Sequence, residues 1–80
     1  MFTMINIGYG NNIERSRVLA VLLPDSAPIR RLISSMKEEN RCLDCTCGNR
    51  TRSVILLDDD WIVLCALEPD TVTNRLVNAS

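Results

Sequence analysis

The sequence has no histidine. That removes the commonest general base, the usual partner of a nucleophilic cysteine and the commonest metal ligand. No other nucleophile has an evident activator, so the chain does not read as an enzyme. Aromatic residues are reduced to one Trp, one Tyr and one Phe, although 46% of the chain is apolar, so the core has to be aliphatic. No run of about 20 apolar residues is present to form a transmembrane helix. Residues 1–4 show no basic region leading into an apolar run, so no signal peptide is expected and the default location is cytosolic. There is one lysine, Lys37, against eight arginines.

What is present fits one domain over residues 1–80. A chain of this size buries only about 60% of its unfolded surface, so association would help it. The net charge of −1 argues against a non-specific polyelectrolyte binder. Its distribution is uneven. Eight of the nine cations lie in residues 15–52 with four acids, and residues 53–80 hold five acids and Arg75. Arginine favours planar, bidentate contact with phosphate or carboxylate. Such an asymmetry suits an anionic partner on one surface, and it is equally the pattern of an ordinary surface with salt bridges.

The chain is organised around Cys47-Gly48-Asn49-Arg50-Thr51-Arg52. Gly48 and Asn49 are turn residues. Two strand-like runs flank them, residues 42–46 and 53–57, so a β-hairpin is expected. In extended chain Arg50 and Arg52 point to the same side. Arg17, at the start of the apolar run 18–23, is expected at the same end of the sheet as Arg50 and Arg52, with Arg15 nearby. Arg52 has an alternative, pairing with Asp44 across the hairpin.

Elsewhere, residues 4–7 read as a short strand ended by a Gly8–Asn12 loop. The Gly-Tyr-Gly within it lacks the third glycine and the following helix of a phosphate loop and reads as a plain turn. Asp25 or Ser26 is placed to cap a helix, and Pro28 fits its first turn. Ile29, Leu32, Ile33 and Met36 form its apolar stripe, with an end near Asn40. Asp58, Asp59 and Asp60 turn the chain into a last apolar strand over residues 61–67. A short second helix starts near Pro69, and residues 78–80 fray. The fold class is α+β: a small antiparallel or mixed sheet, one main helix on a face and a short C-terminal helix. Three strands are apolar on both faces, and two helices cover about one face, so a second copy is expected to cover the other.

Cys42, Cys45, Cys47 and Cys65 read as core or near-core thiols, with Cys45 and Cys47 on one face. Their spacing lacks the paired knuckles of a structural zinc site, so no metal is assigned.

Several stretches in order resemble the bacterial extracellular-matrix regulatory (RemA-like) family. They are Ile5-Asn6-Ile7-Gly8-Tyr9-Gly10-Asn11, Arg17, Pro24-Asp25-Ser26-Ala27-Pro28-Ile29-Arg30-Arg31, Gly48-x-Arg50-Thr51-Arg52 and Pro69-Asp70-Thr71. The resemblance implies a LytTR-like fold and a DNA-binding transcriptional regulator of biofilm-matrix genes. It also implies a homo-oligomeric ring built from dimers, with DNA following its outer surface. The family's DNA-contacting arginines match Arg17 and Arg50, and the position of Pro28 matters in the family. Where the family has another arginine, this chain has Asn49. The expected DNA-binding set is therefore Arg17, Arg50, Arg52, Asn49 and Arg15, with Pro28 structural. The partners would be double-stranded DNA and further copies of the chain, with no cofactor, small-molecule substrate or membrane. The location would be cytoplasmic and nucleoid-associated. Two rival readings are a protein-interaction adaptor, using the arginine hairpin and the acidic turn, and a metal- or redox-sensing module using the cysteines.

Overall fold

The computed structural model describes residues 2–79. Met1 and Ser80, the latter within the tail expected to fray, lie outside the described residues. The elements are β1 (Met4–Gly8), β2 (Asn11–Glu14), a 3₁₀ turn (Arg15–Arg17), β3 (Val18–Leu22), α1 (Ala27–Glu38), β4 (Cys42–Asp44), β5 (Ser53–Leu57), the turn Asp58–Asp60, β6 (Trp61–Cys65) and α2 (Pro69–Asn78). The fold is α+β, with two helices, one antiparallel pair β1-β2 and one mixed sheet ordered β3-β5-β6-β4.

Helix α1 begins where its sequence signals stand. The Ser26 side chain accepts a hydrogen bond from the Ile29 amide at 3.4 Å, and Pro28 occupies the first turn, where no N–H is required. The helix stops at Glu38, and the chain leaves through Asn40 in the left-handed region. Its stripe of Ile29, Leu32, Ile33 and Met36 packs on Val54, Ile62 and Leu64. Strand side chains alternate, so Ile55, Val63 and Cys65 face the opposite way. There they meet Ile5 and Ile7 of β1 and Val72 of α2.

This second layer corrects two expectations. Residues 11 and 12, read as loop, are in β2, which pairs Met4 with Glu14 and Ile5 with Ile13. The sheet face expected to await a second copy is covered by the β1-β2 hairpin and α2 of the same chain. Of the tail expected to fray, Asn78 lies in α2 and Ala79 packs against the core.

A further correction concerns the central hairpin. β4 does not pair with β5. It lies parallel to β6, with Cys42 opposite Ile62 and Asp44 opposite Leu64. β5 has no edge to offer it, because β3 and β6 take both, and β4 adds at the outer edge of β6. Residues 45–52 therefore cross the end of β6. The crossing is tied down by the Cys45 amide donating to Leu64 O at 2.9 Å and the Arg52 amide donating to Cys65 O at 2.9 Å. The true hairpin of the sheet is β5-β6, turned by Asp58–Asp60.

Candidate functional site

The crossing loop keeps its shape through small polar groups. Asp44 Oδ1 accepts from the Thr46 amide at 2.9 Å and from the Thr46 hydroxyl at 2.6 Å, leaving buried Thr46 satisfied. These bonds, the hydroxyl's first, hold the Asp44 carboxyl below its usual range. Cys47 and Gly48 both take left-handed backbone, at φ 53° and 80°. The loop thereby turns Cys47, Gly48, Asn49 and Arg50 to solvent. Cys47 does not share a buried face with Cys45 as expected, because it stands in this loop instead of in a strand.

The arginines do not form one cluster. β3 and β5 are antiparallel, with Val18 opposite Leu57 at one end and Leu22 opposite Val54 at the other. Arg17 therefore stands beside the Asp58–Asp60 turn, and Arg50 and Arg52 stand at the far end. A five-residue strand separates them by roughly 17 Å. The expectation of one shared end fails because β3 runs antiparallel to β5, which puts the start of β3 and the start of β5 at opposite ends of the sheet.

Their partners differ too. The Arg17 guanidinium donates to Asp58 Oδ1 and Asp59 Oδ2, each at 2.7 Å, and these carboxylates raise its pKa further above the ordinary arginine range. Arg52 pairs with Glu68 at 2.8 Å and not with Asp44, whose carboxylate is engaged by Thr46. Arg15 donates to Leu76 O at 2.7 Å, near the C-terminal end of α2, where a cation complements the exposed carbonyls. Among the described residues Arg50 forms neither an ion pair nor a side-chain hydrogen bond; it is exposed and borders a small cleft with Leu23, Pro24, Asp25 and Arg52. Arg30, Arg31 and Lys37 are likewise exposed, on α1.

Sequence reasoning gave Tyr9 no role beyond its turn. Its hydroxyl accepts a hydrogen bond from the Asn49 amide at 2.7 Å, joining the β1-β2 turn to the crossing loop. The available signal was a bulky aromatic between two glycines in a turn, a place where a large side chain is unusual.

A second surface feature is the outer edge of β3, which pairs only with β5. Leu19, Leu23 and Val77 of α2 are 66%, 63% and 70% exposed. Between β3 and α2 runs a groove of about 480 Å³ whose lining includes Arg15, Leu19, Val21, Leu76 and Val77.

The cysteines are all free, with Cys42 and Cys45 half-buried and Cys65 fully buried. Burial raises the pKa of the Cys42 and Cys45 thiols. Among the described residues no three Cys, Asp or Glu side chains gather where they could hold a metal ion. No helix among them is long and apolar enough to cross a membrane.

A family model described as Extracellular matrix regulatory protein A-like (RemA-like) matches residues 4–76. The chain belongs to this family. Relatives of similar size carry the name "Putative regulatory protein". One from Geobacillus thermodenitrificans is 46% identical over 76 residues, covering 95% of this chain and 87% of the relative. One from Desulforamulus reducens is 45% identical over 75 residues, covering 94% and 83%. One from Trichormus variabilis is 46% identical over 74 residues, covering 92% and 84%. These names place the RemA-like chain among regulatory proteins and attach no catalytic activity to it. Every arginine from Arg15 to Arg52 falls inside the RemA-like match.

Proposed function

We propose that this RemA-like chain is a cytoplasmic, nucleoid-associated DNA-binding transcriptional regulator of the biofilm-matrix type. It acts as a homo-oligomer, a LytTR-like ring built from dimers, on whose outer surface duplex DNA is held. The observation that carries the reading is Arg50, an exposed guanidinium without an acidic partner among the described residues, on a loop braced from several sides. A guanidinium in that state is matched to a phosphate oxygen pair. Arg17 joins it by exchanging its Asp58 and Asp59 partners for phosphate. Because Arg17 and Arg50 sit at opposite ends of the sheet, they touch DNA as separate points on successive subunits. The number of phosphates held then sets affinity in spite of a net charge of −1. Phosphate contacts fix position, and sequence choice comes from repeat spacing and DNA deformability.

Support for self-association comes from β3. An open strand edge flanked by exposed Leu19 and Leu23 is a template for another chain, and a second copy is the occupant this reading assigns.

The test is a titration of fluorescent duplex DNA at several salt concentrations, with light scattering to give the mass. Arg50→Ala and Arg17→Ala should each weaken binding and flatten the dependence of log K on log salt, by about one for each phosphate no longer held. Wild-type affinity and slope in both variants would remove the site assignment.

The adaptor reading gains one specific observation, the groove between β3 and α2, lined by both apolar and polar side chains. A partner that persists in pull-downs from nuclease-treated lysate, with no duplex binding by the pure protein, would favour it.

A further inference from the structure

Tyr9 sits where a tyrosine is conformationally unwelcome. Its φ is 54°, between Gly8 at 102° and Gly10 at 79°. Left-handed backbone is a genuine outlier for a bulky side chain, and such a conformation is costly to hold. The ring gains little burial in return, since the residue is 58% exposed.

What the ring does have is one oriented contact. The Asn49 amide nitrogen donates to the Tyr9 oxygen at 2.7 Å, to Thr46 O at 3.0 Å and, more weakly, to Cys47 O at 3.4 Å. Two of these acceptors are backbone carbonyls, which cannot donate. They fix the orientation of the Asn49 amide, with its NH₂ and not its oxygen toward the tyrosine. The phenol oxygen is therefore an acceptor in this contact. A phenol has a single hydrogen to give, and with Asn49 donating, that hydrogen is directed away from Asn49, on a residue that is 58% exposed. Arg50 is the next residue along the loop.

From this arrangement we infer that Tyr9 is an anion-contacting residue of the interface, donating its hydroxyl proton to a phosphate oxygen of duplex DNA next to the one held by Arg50, with Asn49 as the positioning residue. The inference rests on the proposed reading of Arg50. It gives Asn49 a part that needs no charge: its amide directs the proton of a neighbour. A neutral donor adds a hydrogen bond to phosphate without displacing a counterion, so its contribution is nearly insensitive to salt.

The experiment compares wild type, Tyr9→Phe and Arg50→Ala in anisotropy titrations of duplex DNA over a series of salt concentrations, with thermal unfolding of each protein. Tyr9→Phe keeps the ring and deletes only the hydroxyl. It should lower affinity about twofold to tenfold, the range for one hydrogen bond, and leave the salt slope at the wild-type value. Arg50→Ala should lower both. If the hydroxyl served only to place the loop that carries Arg50, Tyr9→Phe would flatten the salt slope as Arg50→Ala does, and the direct contact would be refuted. Unchanged affinity in Tyr9→Phe, with Arg50→Ala weakened, would refute the tyrosine assignment and leave the DNA reading standing. Failure of the wild type to bind duplex DNA even at low salt would remove both. As a second readout, Tyr9 is the only tyrosine in the sequence. Its ring resonances should shift during DNA addition with the same midpoint as the anisotropy, and a ring left unmoved at saturation counts against contact.

Discussion

Arg17 Nε and Asp58 Oδ1 stand 2.7 Å apart across the β3-β5 end of the sheet, and Asp59 closes on the same guanidinium through Nη2. All three side chains are substantially exposed, so solvent screening leaves the pair little effect on stability. Its larger consequence is competition, because a phosphate that engages Arg17 has to displace two carboxylates.

Replacing both carboxylates, Asp58→Asn with Asp59→Asn, should therefore tighten duplex DNA binding while moving the thermal midpoint little. Titration at fixed, moderate salt reads this directly. Weaker binding in the double variant would mean that the clamp presents Arg17 to DNA instead of withholding it.

The open edge of β3 predicts an effect on mass. Leu19→Lys places a charge on an already exposed position and should leave the subunit folded, since edge lysines are a common protection against strand pairing. Light scattering should fall toward the 9.0 kDa of one chain, with circular dichroism unchanged. DNA affinity should fall with it, because a monomer holds fewer phosphates. An oligomer of unaltered mass would exclude this edge as the interface.

The intrachain cover of the second sheet face predicts a stability cost. Ile7 is fully buried against Ile55, Val63, Cys65 and Val72. Ile7→Ala should cost about 2–5 kcal/mol and Ile7→Val about 0.5–1.5 kcal/mol in denaturant unfolding. For a small domain the first is a large part of its total stability. If both variants proved neutral, the β1-β2 layer would contribute little to the fold.

Acid should act through two carboxylates. Asp44 is held below its ordinary value of 3.8 by the Thr46 hydroxyl and amide. Glu14 is held below 4.5 first by the Ser16 hydroxyl, then by the Thr3 and Ser16 amides. A lowered folded pKa gives stability that is fully present above the unfolded value and lost as pH falls through the folded one. The melting temperature should therefore begin to drop as pH falls through the ordinary values of 4.5 and 3.8, and go on dropping as pH passes below them through the lowered folded values. The drop should be smaller in Asp44→Ala with Glu14→Ala, whose midpoint is already lower at neutral pH.

The helices could be read before the structure because their signals are local. Ser26, Pro28 and the stripe from Ile29 to Met36 lie within one segment, and α1 follows them. The β5-β6 hairpin was legible for the same reason, since Asp58–Asp60 joins two apolar runs directly. β2 was not, because Asn11 and Asn12 are poor strand formers and become strand by pairing with β1. The placement of β4 was also hidden. An apolar strand carries no mark of its neighbour, and what excludes β4 from β5 is that β3 and β6 already occupy both of its edges. The site carried a separate error, over the direction of β3 relative to β5. Arg17 and Arg50 are both exposed arginines, as their sequence positions suggest, but their separation depends on strand direction. The partners Asp58, Asp59 and Glu68 come from 16 to 42 positions away in sequence.

The β1-β2 layer has a consequence for the order in which the molecule forms. β1 is the first strand made, yet its core neighbours are Ile55, Val63 and Val72, and its Asn6 carbonyl accepts from Arg75 of α2 at 2.8 Å. β4 likewise waits for β6, about twenty residues later. Pairings this remote must close long loops before they are rewarded, which slows folding. During synthesis at about 5–20 residues per second, the early strands wait on the ribosome with their apolar faces open. The cluster that β1 shares with β5, β6 and α2 can be completed only once α2 has emerged.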